Sequence, residues 1–132
     1  MSLITWTVDQ FGTDVKFADE EHQTLFSKLN KLYELATNDA ERSDVGSHLD
    51  DFISFVVEHF SHEEREMSAK GFGGYENHKA EHDALISTGT DIQKKFHAGE
   101  ADISEEFGQL IKAWLENHIP TYDKAYSGAL NS

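Results

Sequence analysis

Four segments of this chain repeat apolar residues at spacings of three and four, and each carries a metal-ligating side chain on or beside that same stripe. A helix with such a stripe must bury it, so the polar groups on it are drawn into the core as well. The first segment runs from about residue 19 to 36, with Leu25, Phe26, Leu29, Leu32 and Tyr33 on one face. The second runs from about 44 to 67, with Val45, Leu49, Phe52, Ile53, Val56, Val57, Phe60 and Met67. The third, about 75 to 98, has Leu85, Ile92 and Phe96; the fourth, about 104 to 119, has Phe107, Leu110, Ile111, Trp114 and Leu115.

The breaks between segments are short. Thr37-Asn38-Asp39 is poor in helix formers, and Gly71-Phe72-Gly73-Gly74 interrupts the second and third segments. Gly99 closes the third, where glycine suits a left-handed cap. Asp102 and Glu105 have the spacing of a capping box for the fourth, with Ser104 as a competing cap. Short connections between long helices favour antiparallel neighbours. The expected fold is therefore all-α, an antiparallel up-down-up-down four-helix bundle with an N-terminal arm. The 132 residues make one domain, with the arm at 1–18 and the bundle at about 19–122. Trp6, Phe11 and Phe17 mark the arm as packed against the bundle.

Composition narrows the function. The absence of cysteine removes disulfides, thiolate metal sites and cysteine nucleophiles, and fits a cytoplasmic protein. A formal net charge of −14 repels nucleic acid and anionic lipid, so neither is expected as a partner. No apolar run approaches the ~20 residues a membrane span requires. The opening Met1-Ser2-Leu3-Ile4-Thr5-Trp6 has no basic region and no continuous apolar core, so no secretory signal is expected.

Histidine is the unusual residue, with eight copies. On the third segment His78 and His82 both lie on the stripe, and side chains four residues apart fall within ~40° of each other on a helix. His22 shares the stripe of Leu25, Phe26 and Leu29, and His118 that of Ile111, Trp114 and Leu115. On the second segment Glu63 lies ~40° from the stripe centre and His59 sits at its edge, roughly 80° away. His62 falls roughly 140° off its stripe and reads as solvated, and His48 and His97, roughly 100° and 90° off theirs, read as ordinary residues rather than ligands. A lone inward histidine is usually a hydrogen-bonded core residue. Five of them with a carboxylate would cost several kcal/mol per unpaired group unless a metal joined them. Asp123 is a seventh candidate, but on a regular helix it turns ~140° away from His118. Pro120, between the two, can kink the helix and bring it back.

His22, then His59-Phe60-Ser61-His62-Glu63-Glu64, then His78-Lys79-Ala80-Glu81-His82, then His118-Ile119-Pro120-Thr121-Tyr122-Asp123 resembles the ligand pattern of the hemerythrin family, in its single-domain bacterial form. The resemblance spans nearly the whole chain and includes the Trp6 arm. It implies two non-haem irons joined by an oxo or hydroxo bridge. One iron would take His78, His82 and His118. The other would take His22 and His59 and keep an open position. Glu63 and Asp123 would bridge them. It also implies reversible dioxygen binding in a pocket lined by Leu25, Phe60, Trp114, Leu115 and Ile119.

The ligand types agree with that implication. Imidazole with carboxylate suits iron, zinc, copper or nickel, and seven ligands exceed the four of one tetrahedral zinc. Oxidative diiron enzymes of this architecture use Glu-x-x-His motifs, and this sequence has none. His62-Glu63 opens like a zinc-protease motif, but Glu66 stands where the second histidine belongs. The expected function is not enzymatic. It is storage or transport of dioxygen, or its delivery to an oxygen-consuming enzyme, by a monomer. The alternatives are sensing of oxygen, redox state or iron through a separate partner, and iron storage or detoxification.

Overall fold

The computed structural model describes residues 2–131, and among them the secondary structure is entirely helical. A short helix α1 (Val8–Phe11) is followed by four long ones, α2 (Lys16–Thr37), α3 (Arg42–Ala69), α4 (Tyr75–His97) and α5 (Glu105–His118). A π-helical turn (Ile119–Asp123), a 3₁₀ turn (Lys124–Tyr126) and α6 (Ser127–Leu130) complete the chain. The four long helices form the bundle expected from the sequence, with α3 packed between α2 and α4.

Their alternating direction follows from side-chain pairings at the two ends. His22 near the start of α2 meets Glu63 near the end of α3 and Asp123 just beyond α5. His82 near the start of α4 meets the same Glu63. At the opposite end Arg42, opening α3, donates to the carbonyl oxygens of Phe96 and Ala101 at the close of α4. Asp50 of α3 accepts from Gln93 and pairs with His97 on α4.

The main core fills the middle of the bundle and the end remote from Glu63. Leu25, Leu29, Leu32, Leu49 and Phe52 are almost fully enclosed there. A smaller cluster of Val15, Ala18, Met67 and Tyr126 closes the other end. Burying four such stripes together is what stabilises helices that propensity alone would leave marginal. Val57 and Leu110, grouped with the stripes on spacing, lie at 38% and 47% exposure. Each adjoins a better-placed residue, Val56 and Ile111, that takes the inward position.

The N-terminal arm is anchored on the bundle. Asn30 serves Ile4 as a strand partner would, accepting from its N–H at 3.0 Å and donating to its carbonyl at 2.8 Å. Phe11 is buried edge-to-face on Phe26, centroids 4.8 Å apart. The carboxylate of Asp19, in the first turn of α2, accepts from both the N–H and the hydroxyl of Thr13. An anion there also suits the positive end of the helix dipole.

Two details at the remote end bear on the sequence reading. Gly99 takes the left-handed conformation expected of it, φ +76°. The Asp102–Glu105 capping box does not form. Ser104 is the N-cap residue of α5, without a side-chain cap bond, and the Asp102 carboxylate pairs with Arg42 instead. A guanidinium partner outcompetes a backbone N–H as a donor to a carboxylate. Arg42 also lies 4.0 Å over the Phe96 ring and so clasps the α4–α5 connection to α3. Arg42→Ala should therefore lower the unfolding free energy by about 1–2 kcal/mol, since the clasp is half-exposed, without changing metal content. Chemical denaturation and metal analysis measure the two.

Candidate metal centre

All seven candidate ligands, His22, His59, Glu63, His78, His82, His118 and Asp123, are buried at one end of the bundle. The geometry divides them into two groups that share the carboxylates. Asp123 Oδ1 lies 2.9 Å from His78 Nε2 and 3.1 Å from His118 Nε2. Its other oxygen, Oδ2, lies 3.0 Å from His22 Nε2. Glu63 divides the same way: Oε1 is 3.3 Å from His82 Nε2, while Oε2 is 3.4 Å from His22 Nε2 and 3.3 Å from His59 Nε2. Each carboxylate thus presents one oxygen to a three-histidine group and the other to a two-histidine group. Donor atoms of Glu63, His78, His82, His118 and Asp123 lie within 4.8 Å of one another, as do those of His22, His59 and Glu63.

The donors fit a metal better than they fit each other. His59 Nε2, His78 Nε2, His82 Nε2, His118 Nε2, Glu63 Oε1 and Asp123 Oδ1 are buried at these short distances without hydrogen-bonding geometry. Nitrogens and oxygens converging without bonding cost several kcal/mol in a dry core, and a shared cation removes that cost.

Asp123 reaches the site by a route finer than a kink. After His118 the helix widens into the π-turn, and the Lys124 N–H donates to the Ile119 carbonyl five residues back. The wider turn holds one more residue than an α-turn, so a spacing of five does what four does elsewhere. Pro120 sits at the start of this turn and lacks the N–H that would continue the α-helical ladder.

The three remaining histidines lie outside the ligand groups. His48 bonds the Asp44 carbonyl on its own helix, and His97 pairs with Asp50 on the surface. His62 is more engaged than its helical angle suggested. It is half-buried, stacks on Phe17 with centroids 4.1 Å apart, and pairs with Glu21 at 2.7 Å.

Spacing also left three groups unnoticed. Glu21 pairs with His59 Nδ1 at 2.7 Å, and Glu64 with His82 Nδ1 at 2.8 Å. Each orients its imidazole so that Nε2 faces inward. Tyr126, fully buried, donates its hydroxyl to Glu63 Oε2 at 2.5 Å and stacks on His78. Glu21 and Glu64 adjoin ligands in sequence, which was a usable signal. Tyr126 falls past the last periodic segment and had none.

Of the residues expected to line a ligand pocket, Leu25, Phe60, Leu115 and Ile119 are buried and Trp114 is partly so. Phe60 lies flat on His82, centroids 3.7 Å apart, and Trp114 on His118 at 4.1 Å. Both rings therefore pack on the three-histidine side.

Electrostatics follow from burial and the shared carboxylates. Burial opposes a charge on His22, but Asp123 and Glu63 outweigh it and hold its pKa up at about 10. Burial likewise opposes the charge of Glu63, yet the histidines around it hold its pKa well below the ordinary range. Asp123 is held below its ordinary value in the same way, chiefly by His118 and His22 against burial and the Glu63 charge. Burial first, and then the neighbouring Glu63 and Asp123, push the Tyr126 phenol far up, so it stays protonated as a donor.

Residues 13–130 match the model of the hemerythrin HHE cation binding domain. The chain belongs to the hemerythrin family. It is 47% identical to the bacteriohemerythrin of Methylococcus capsulatus (strain Bath) over 132 residues, covering 100% of both chains. It is 35% identical to a hemerythrin-like protein of Naegleria gruberi, covering 85% of this chain and 82% of that one. A crystal structure of wild-type hemerythrin superposes with a TM-score of 0.96 at 47% identity, covering 99% of this chain and 100% of that one. Membership in the hemerythrin family agrees with a histidine and carboxylate cluster able to hold metal.

Two outcomes follow. Tyr126→Phe leaves a buried carboxylate oxygen of Glu63 without its donor, and should destabilise the protein by about 1–3 kcal/mol in chemical denaturation. The second concerns pH in the metal-free chain. His22 has a raised pKa, so its contribution is complete below its ordinary 6.5 and is lost as pH rises through about 10. Glu63 and Asp123 have depressed values, so theirs is present above the ordinary 4.5 and 3.8 and is lost as pH falls toward the depressed values. The melting temperature of chelator-treated protein should therefore fall on both sides, in acid below about pH 4 and in alkali toward about pH 10.

Proposed function

We propose that the chain holds two non-haem irons and binds dioxygen reversibly, for storage, transport or delivery to an oxygen-consuming enzyme. The observation that carries this reading is the unequal division of the site. Two carboxylates are shared between a group of three histidines and a group of two. Two shared carboxylates fit two metals, and the two-histidine side, with one protein ligand fewer, has room for an exogenous molecule. The proposed ligands are His78, His82 and His118 on one side, His22 and His59 on the other, and Glu63 and Asp123 between them.

Such an iron pair, when bound, would supply reversible two-electron exchange with dioxygen. The residues of this chain supply the conditions for reversibility. Leu25, Leu115 and Ile119 form dry walls, and Phe60 and Trp114 seal the faces of His82 and His118. Apolar walls exclude water and withhold protons from the site. Tyr126 holds its proton on Glu63 rather than releasing it. This environment supports binding over turnover, in keeping with the bacteriohemerythrins to which the chain is similar. No helix among the described residues is long and apolar enough to cross a membrane. A cytoplasmic monomer is the proposed working form. The absence of cysteine suits a reducing compartment, and the large exposed hydrophobics, Val8, Val57 and Leu110, are scattered one to a helix on α1, α3 and α5.

Metal analysis of the protein loaded under anaerobic, ferrous conditions should give about two irons per chain. Exposure to oxygen should then produce visible absorption that disappears on deoxygenation and returns over repeated cycles. Irreversible bleaching, or continuous oxygen consumption, would contradict reversible binding.

A further inference from the structure

The five buried imidazoles are not supported alike. Nδ1 of His22, His78 and His118 has no hydrogen-bond partner among the described residues. His82 and His59 each lean on a carboxylate, but the one behind His59 is held from outside as well. Glu21 uses Oε1 for His59 Nδ1 and Oε2 for His62 Nδ1, both at 2.7 Å. Helical spacing makes this possible. His59 and His62 are three residues apart on α3 and meet Glu21 side by side, while Phe17 and Glu21 are four apart on α2 and enclose His62 between ring and carboxylate. The assembly runs from a shallow surface depression, lined by Glu21, Phe55, Glu58, His62 and Arg65, to His59 in the interior.

We propose that Glu21 and His62 are positioning residues that lock the His59 ring and so set how firmly metal is held at the two-histidine position. The inference rests on the two-metal reading above. A carboxylate bonded to one imidazole alone can rotate. With its second oxygen fixed by His62, and His62 fixed by Phe17, the carboxylate has one orientation and His59 presents Nε2 to the site. The three-histidine position does not depend on this brace, because its three imidazoles come from α4 and α5, with His82 supported by Glu64. Removing the brace should thus weaken one metal position and spare the other.

The test is anaerobic competition of the iron-loaded full-length protein with a graded ferrous chelator, scoring iron retained per chain. His62→Ala is the decisive variant, because the side chain is half-exposed and Glu21 remains. It should weaken retention of one iron per chain by about 10- to 100-fold and leave the other unchanged. Glu21→Ala should do the same or more, and His62→Gln, which restores an N–H donor toward Glu21, should recover most of the loss. The metal-free melting temperatures of His62→Ala and His62→Gln should match each other while their iron retention differs, which separates loss of aim from loss of fold. A parent chain that retains two irons, with variants in which neither iron or both irons equally are weakened, overturns the brace alone. A parent chain that retains fewer than two irons overturns the brace together with the two-metal reading.

Discussion

Glu63 and Asp123 are two carboxylates enclosed among five imidazoles, each with one oxygen toward the three-histidine group and the other toward the two-histidine group. Buried charge is tolerable only when it is paired and bonded, and this one constraint organises the bundle around it. It brings side chains from four helices to a single depth behind apolar residues, with Glu21 and Glu64 holding the rings of His59 and His82. The alternation of helix direction is part of the same requirement. The candidate ligands near the starts of α2 and α4 and the ends of α3 and α5 converge because neighbouring helices run oppositely.

The two ends of the bundle divide the work. The remote end holds the helices together with Leu32, Val45, Leu49, Phe96 and Phe107 and the Arg42 clasp. The site end gives up apolar packing for histidines, and is closed by the arm, the π-turn and Tyr126 instead. The arm contributes Thr13 to Asp19, and Asn131 in the tail donates to the Asp14 carbonyl, so both chain ends are tied over the site. Metal binding at such a place couples directly to stability, since the donors are otherwise buried without satisfied geometry.

How much could be read in advance depended on whether a group belonged to a regular helix. His22, His78, His82, His118 and Glu63 fall on apolar stripes, and the period of 3.6 residues alone aims them inward. His59 was legible through its four-residue spacing to Glu63. The helix limits came within a few residues, because Gly71, Gly99 and Thr37-Asn38-Asp39 punctuate the pattern. Asp123 was legible in identity but not in cause. A proline suggested a kink, whereas the chain uses a π-turn. The Asp102–Glu105 box was a sound local pattern that lost to Arg42, sixty residues away from Asp102 in sequence. Local pattern cannot weigh a long-range partner.

The sequence by itself determined four amphipathic helices, their order, and most of the polar groups they would bury. Those follow from local spacing, which the helix converts directly into direction. The tertiary structure alone decided which carboxylate oxygen faces which imidazole, that Glu21 serves both His59 and His62, and that Tyr126 closes over Glu63. These pairings join residues as distant in sequence as His22 and Asp123, and their geometry exists only once the helices are packed.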